Sequence, residues 1–219
     1  MPNTIPIIAI DGPSASGKGT VAQLVAEKLG YHYLDSGALY RIVAFAAKKN
    51  QINWQQPEQI ATLIPSLKVV FQHGEIYLND QTITESIRTE EIGRGASEVA
   101  VHPEVRTVLY DLQRSFLQAP GLVADGRDMG SVIFPEAQLK IFLTASAKTR
   151  AERRYKQLIA KEINANLTEI LADLQQRDER DKQRTTAPLM QTADAKRLDT
   201  DNLTISQAVD TVLAYNSSS

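Results

Sequence analysis

Apolar positions along this chain change rhythm from strand to helix several times. Ile5 to Ile10 is an apolar run with Pro6 near its start and a Gly-rich loop directly after it, the pattern of a buried parallel strand. Val21, Leu24, Val25, Ala26 and Leu29 then recur at helical spacing as far as Gly30, a residue suited to a helix C-terminus. Tyr31 to Leu34 predicts a second short strand. Asp35-Ser36-Gly37 predicts a turn whose Asp or Ser can cap a helix from Ala38 to about Asn50. The opening quarter therefore reads βαβα.

The middle follows another pattern. Lys68 to Gln72 and Ile76 to Asn79 predict short strands around a hairpin turn at His73-Gly74-Glu75, within an antiparallel insertion at roughly 66–84. Two helices are expected next, one around Glu90 to Val101. The other is opened by Pro103 and has Val105, Val108, Leu109, Leu112 and Phe116 on one face. The α/β pattern then resumes: Leu122 to Ala124 and Leu139 to Leu143 are compact enough for buried strands, and the first runs into Asp125-Gly126-Arg127-Asp128. Leu198 begins a last short strand, and Thr204 with Gln207 forms a capping box before a helix carrying Val209, Val212 and Leu213. There are no repeats, and only Ser217-Ser218-Ser219 is of low complexity.

Composition narrows the function classes. A length of 219 residues with 42% hydrophobic content suits one sizeable α/β unit with insertions. No run approaches the ~20 apolar residues needed to cross a bilayer, and the first residues lack the basic start and apolar stretch of a secretory signal, so a soluble, cytoplasmic protein without a membrane partner is expected. With no cysteine there is neither a disulfide framework nor a thiolate metal site. The formal net charge of -2 provides no overall attraction for nucleic acid, so any polyanion must be met by local Arg and Lys clusters. No apolar stripe stands out as an interface, and a monomer is expected.

The strongest motif is the loop after the first strand, Gly12-Pro13-Ser14-Ala15-Ser16-Gly17-Lys18-Gly19-Thr20. Four residues separate Gly12 from Gly17-Lys18, the spacing at which backbone N–H groups converge on nucleotide phosphates. Lys18 would bring its charge to the β- and γ-phosphates and the following helix its N-terminal dipole. Gly19 stands where the common form of this motif has its magnesium-ligating Ser or Thr, and Thr20 is not assigned as a direct ligand. No protein metal site is expected. Gly17-Lys18-Gly19-Thr20 resembles the loop of nucleoside monophosphate kinases, which implies a Mg2+ that arrives with ATP and is held mainly by phosphates and water.

Arginines supply the other expected chemistry. Arg150, Arg153 and Arg154 lie at i, i+3 and i+4, and Arg177, Asp181 and Arg184 at i, i+4 and i+7 with Arg180 at the edge. Each set reads either as a solvated helix face with ion pairs to Glu152, Asp178, Glu179 or Asp181, or as cations for a transferred phosphoryl group. The polar segment between the sets is suited to a lid. Arg127 and Asp128 sit past a strand end, where open α/β sheets bind ligands, or else form a structural pair. From spacing alone, Ser97 and Arg106, flanking His102-Pro103, read as surface residues.

Five segments together resemble the bacterial-type cytidylate kinases: Ile10-Asp11-Gly12-Pro13-Ser14 with Gly17-Lys18-Gly19-Thr20, Leu34 to Arg41, Ile87-Arg88-Thr89, Ala124-Asp125-Gly126-Arg127-Asp128-Met129-Gly130, and Arg177 to Asp181. The resemblance covers nearly the whole chain and implies a P-loop kinase core with a parallel five-stranded sheet flanked by helices. It adds a monophosphate-binding insertion with a small antiparallel sheet, and a helical lid. The expected division is a core at about 1–35, 119–150 and 186–219, the insertion at about 36–118, and the lid at about 151–185. By this resemblance Ser36 and Arg41 line the monophosphate site, and Ser97, Arg106 and Asp128 read the cytosine, which displaces the surface reading. Arg127 and Arg177 would hold the acceptor phosphate or sugar, Asp181 the ribose, and Arg184 the phosphate side. Lys18, Arg127, Arg150, Arg153 and Arg184 would act on the transferred group, with the choice between Arg153 and Arg154 open. The implied reaction is γ-phosphoryl transfer from ATP to CMP or dCMP.

Overall fold

The computed structural model describes residues 5–72 and 75–217. In chain order the elements are β1 (Ile7–Asp11), α1 (Lys18–Leu29), β2 (His32–Asp35), α2 (Ser36–Lys49), α3 (Pro57–Leu63), β3 (Val69–Gln72), β4 (Glu75–Leu78) and β5 (Gln81–Thr82). They continue with α4 (Glu90–Val99), α5 (Pro103–Arg114), β6 (Leu122–Gly126), β7 (Leu139–Thr144), α6 (Ala147–Ala160), α7 (Leu167–Gln183), β8 (Lys196–Asp199) and α8 (Ile205–Ser217). The chain divides into two compact units, residues 1–35 with 114–219, and residues 36–113.

The first unit is built on a five-stranded parallel sheet in the order β2-β6-β1-β7-β8. Every residue of β1 and β6 is buried, which explains why both read as unbroken apolar runs rather than alternations. Ile8, Ile10, Val123, Ile141 and Leu143 pack with Val21, Val25 and Ala26 of α1 and with Val209 and Val212 of α8. Burying each such side chain contributes about 1.5–3 kcal/mol, so this packing outweighs any single cap in holding the helices to the sheet. Gly30 closes α1 in the left-handed conformation expected of it (φ 66°). At α8 the capping box is formed: the Gln207 N–H donates to Thr204 Oγ1 at 3.2 Å and the Thr204 N–H to Gln207 Oε1 at 2.9 Å.

The second unit joins α2, α3, α4 and most of α5 to a three-stranded antiparallel sheet, β3-β4-β5. The insertion has one strand more than its apolar pattern suggests. Leu78 pairs with Gln81, leaving Asn79 and Asp80 as a two-residue turn with φ of 49° and 64°, so β4 ends before Asn79. The expected turn at His73-Gly74 lies outside the described residues. Several other expectations shift. The helix after Asp35 begins at Ser36 rather than Ala38, α4 stops at Val99, and α5 ends at Arg114, leaving Phe116 outside it and Leu112 exposed. No element was expected between Asn50 and Ser66, where α3 starts on Pro57 as its first residue.

Candidate active site

The C-terminal ends of β1, β2 and β6 bring charged residues together in the first unit, because parallel neighbours deliver their exit loops to the same sheet edge. The loop from Gly12 to Gly17 leaves β1 there. Ala15 (φ 57°) and Gly17 (φ 91°) take left-handed backbone, and Gly17 caps α1, whose first residue is Lys18. Lys18 is only 8% exposed; its Nζ donates to the Pro13 carbonyl at 3.4 Å and lies 3.7 Å from Asp125 Oδ1. Burial, reinforced by Arg127, pulls the Lys18 ammonium down to about 8 against the pull of Asp125 and Asp35. Burial likewise pushes Asp125 up to about 6, with Lys18 opposing it. Each partner is strained towards neutrality, as expected of a desolvated pair. The Tyr33 hydroxyl donates to Asp125 Oδ2 at 3.4 Å, and burial drives its own ionisation upward. Thr20, one residue past Gly19, is exposed.

Three guanidinium groups clasp the loop. Arg127 donates to Ser14 Oγ at 2.7 Å and to Asp181 Oδ2 at 2.9 Å. Arg150, 3% exposed, donates to the Ser14 carbonyl at 3.0 Å and makes a two-pronged pair with Asp178. Arg153 donates to the Ser16 carbonyl at 3.4 Å and to Thr200 Oγ1 at 3.1 Å. Arg154 instead donates to Gln157 on its own helix, so the three arginines of α6 do not act as one face. The helix repeat explains the split, since i+3 and i+4 diverge to opposite sides of residue i.

The second arginine set is inward-facing as well. Arg177, Asp181 and Arg184 are all buried, and Arg184 sits just past the end of α7 with Nη2 3.7 Å from Asp128 Oδ1. Burial would raise the Asp181 carboxyl, but Arg127, then Arg184 and Arg177, hold it below the usual carboxylate range. Arg177 also lies 3.9 Å from Asp173 Oδ2 one turn back. Arg150, Arg177 and Arg184 are buried and Arg153 is tied to the loop, which excludes a solvated helix face for these four but not for Arg154. Thr200 carried no signal of its own, and Asp178 stood only among several acidic pairing candidates; they meet Arg153 and Arg150 because the loop after β8 and α7 fold beside α6.

The second unit holds its own polar set. Ser36 Oγ donates to Gln113 Oε1 at 2.7 Å, and Arg41 Nη1 donates to the Ile87 and Thr89 carbonyls at 2.7 and 3.2 Å. Ser97 and Arg106 are buried, which corrects the surface reading drawn from their spacing. Arg106 is held by the Ala100 carbonyl at 3.3 Å and stands over the Tyr40 ring at 5.9 Å. Spacing missed them because a buried polar side chain is justified by tertiary partners rather than by local pattern.

A family model described as cytidylate kinase matches residues 8–218. The chain is 62% identical to a cytidylate kinase of Polynucleobacter asymbioticus, covering 97% of each chain. It is 55% identical to one of Chromobacterium violaceum, covering 97% of this chain and 96% of that one. Likeness of this extent, running through the phosphate loop, the insertion and both arginine helices, means that the chain belongs to the cytidylate kinase family.

Proposed function

We propose that this protein transfers the γ-phosphoryl group of ATP to CMP or dCMP, giving ADP and the nucleoside diphosphate. The observation that carries this reading is the gathering of cations on one loop: Lys18 within it, Arg127 and Arg150 on Ser14, and Arg153 on Ser16. Phosphoryl transfer between two anions is catalysed mainly by positioning and charge neutralisation, and such a set supports both. An acceptor phosphate is already ionised, so no general base is required.

In this reading the loop residues Gly12 to Thr20 cradle the donor phosphates. Lys18, Arg127, Arg150, Arg153 and Arg184 neutralise the transferred group. Ser36 and Arg41 hold the acceptor phosphate, and Ser97, Arg106 and Asp128 meet the cytosine edge, which offers an amino donor beside two acceptors. Arg177 and Asp181 serve the sugar and its phosphate. Helices α6 and α7 act as a lid that keeps water from the donor. The enzyme works as a cytoplasmic monomer on free nucleotides.

Magnesium arriving with ATP would supply further charge neutralisation on the β- and γ-phosphates. Among the described residues no group of three or more Asp, Glu or His forms a cage for a cation. Asp125 fits such an ion through water. Its Oδ1 is buried beside Lys18 and accepts no hydrogen bond, so it has a lone pair for a metal-bound water.

The test is ADP release measured across CMP, UMP, AMP and GMP. CMP should be strongly preferred, and ATP hydrolysis indifferent to every monophosphate would overturn the reading. In the same assay Asp128→Asn, which keeps the side chain's shape but removes its charge, should lower kcat/KM for CMP by about 10- to 100-fold. Gly93→Ala examines the phosphate end. A Cβ at Gly93 would stand 2.8 Å from Arg41 Nη2, the movable end of a long side chain. The fold should tolerate it, since alanine favours the helix by up to about 1 kcal/mol. Arg41 should be displaced, raising KM for CMP by about 10-fold while KM for ATP and the melting temperature stay close to wild type.

A further inference from the structure

Asp11, the last residue of β1, has no part in the chemistry proposed above, yet it is 8% exposed and fully engaged. Its Oδ1 accepts the Met129 N–H and its Oδ2 the Gly130 N–H, each at 2.8 Å. These two residues open a single π turn, Met129–Ile133, which begins at Asp128 and has no side-chain cap of its own. The first N–H groups of any helical turn need acceptors from outside it. Here they come from another strand, because Asp11 pairs with Gly126 in the sheet and the chain beyond β6 passes the end of β1.

The turn so held is the one that presents Arg127 and Asp128. Arg127 donates to Asp181 and Ser14, and Asp128 pairs with Arg184, so both side chains act from a backbone anchored one to three residues further on. Burial pushes the Asp11 carboxyl up to about 7 against the pull of the two N–H bonds. A neutral residue would avoid that desolvation, but none of similar size offers two acceptor oxygens to two converging N–H groups.

We propose that Asp11 is a positioning residue for acceptor recognition: from the strand that leads into the phosphate loop, it fixes the backbone that aims Asp128 at the base and Arg127 at the phosphates. The inference rests on the reading of Asp128 and Arg127 as acceptor-binding groups. It extends the role of the Asp11-Gly12 pair beyond the donor loop.

Asp11→Asn tests it, since asparagine keeps one acceptor oxygen and turns an amino group on the other N–H. KM for CMP should rise about 10-fold or more, and preference for CMP over UMP should fall by a similar factor, because one buried N–H loses its acceptor. KM for ATP should remain within about 3-fold, because Lys18, Arg150 and Arg153 reach the donor loop without passing through the turn that Asp11 holds. A purely structural role predicts lower kcat in proportion to the folded fraction, with both KM values and the CMP preference unchanged, and that result overturns the inference. Exchange of the Met129 and Gly130 amides in the wild-type protein gives a reading that needs no variant. Both should exchange at least about 100-fold more slowly than free amides, and more slowly still with CMP bound. Exchange at the unprotected rate overturns the inference even where Asp11→Asn does not fold. The wild-type control separates the two levels: absence of CMP turnover there defeats the functional reading and this inference with it, whereas normal turnover with an unaltered variant defeats the inference alone.

Discussion

Lys18→Met should reduce kcat/KM for ATP-dependent phosphorylation of CMP by about 1,000-fold or more, the scale of losing a charged donor aimed at a developing phosphoryl charge. Methionine matches the length of the lysine stem and suits the buried position, where 8% of the residue is exposed. The fold should therefore survive. The Lys18–Asp125 pair is desolvated on both sides, its partners drawn to about 8 and about 6, so removing the ammonium relieves one buried charge while leaving another. Asp125 can meet the loss by taking up a proton, since Lys18 is the group that lowers it most. The melting temperature should consequently move by only a few degrees while turnover collapses. Turnover within ten-fold of wild type would remove Lys18 from the catalytic set.

The combination of a stable fold and a failed reaction follows from where the site sits. Its residues lie at strand exits and helix ends, and the core that supports them is elsewhere, in Ile8, Ile10, Ile141 and Leu143 against α1 and α8. That division also governs what the amino-acid pattern could show in advance. The strands β1 and β6 were legible because two-sided burial demands continuous apolar runs, and β7 because Leu139, Ile141 and Leu143 alternate into the core. Gly30, Pro103 and the Thr204–Gln207 box were legible because each acts through its own few neighbours. The order β2-β6-β1-β7-β8 follows from no local feature; the resemblance implied five parallel strands, but periodicity alone cannot rank neighbours. β5 was missed because two exposed residues, Gln81 and Thr82, make no alternation, although Asn79-Asp80 before them is turn chemistry of the kind a hairpin needs.

At the site, position was easier to anticipate than partnership. The glycine spacing announced the loop, and charged residues at the end of β6 announced a site. Which arginine of α6 reaches the loop depends on Thr200, 47 residues away in the chain, and which carboxylate meets Arg150 depends on Asp178, 28 residues away. Helical spacing gave Arg150, Arg153 and Arg154 equal standing, and only the packing of α6 against α7 and the loop after β8 separates them. Asp11 is the extreme case. It lay inside the most recognisable motif, yet its two partners stand 118 and 119 residues on.

Gly12→Ala should be the most damaging small substitution for stability, destabilising the fold by about 3 kcal/mol or more. A Cβ at Gly12 would fall 1.9 Å from the Leu143 carbonyl oxygen and 3.0 Å from its carbonyl carbon. Both are backbone atoms of β7, and the residue before each, Asp11 and Phe142, is paired in the sheet, so neither strand can yield without breaking that ladder. Gly17→Ala provides the contrast. It too would place a side chain in the phosphate loop, but no atom lies within 4 Å, and the cost is confined to left-handed backbone at φ 91°, about 1–2 kcal/mol. For a chain of this size each kcal/mol lowers the melting temperature by about 2–4 °C, so Gly12→Ala should melt at least about 6 °C below wild type and clearly below Gly17→Ala. The order matters more than either value, because both variants disturb the loop but only one forces β1 away from β7. Equal melting temperatures for the two would show that the first glycine serves the phosphates alone, and not also the close approach of the strands that carry them.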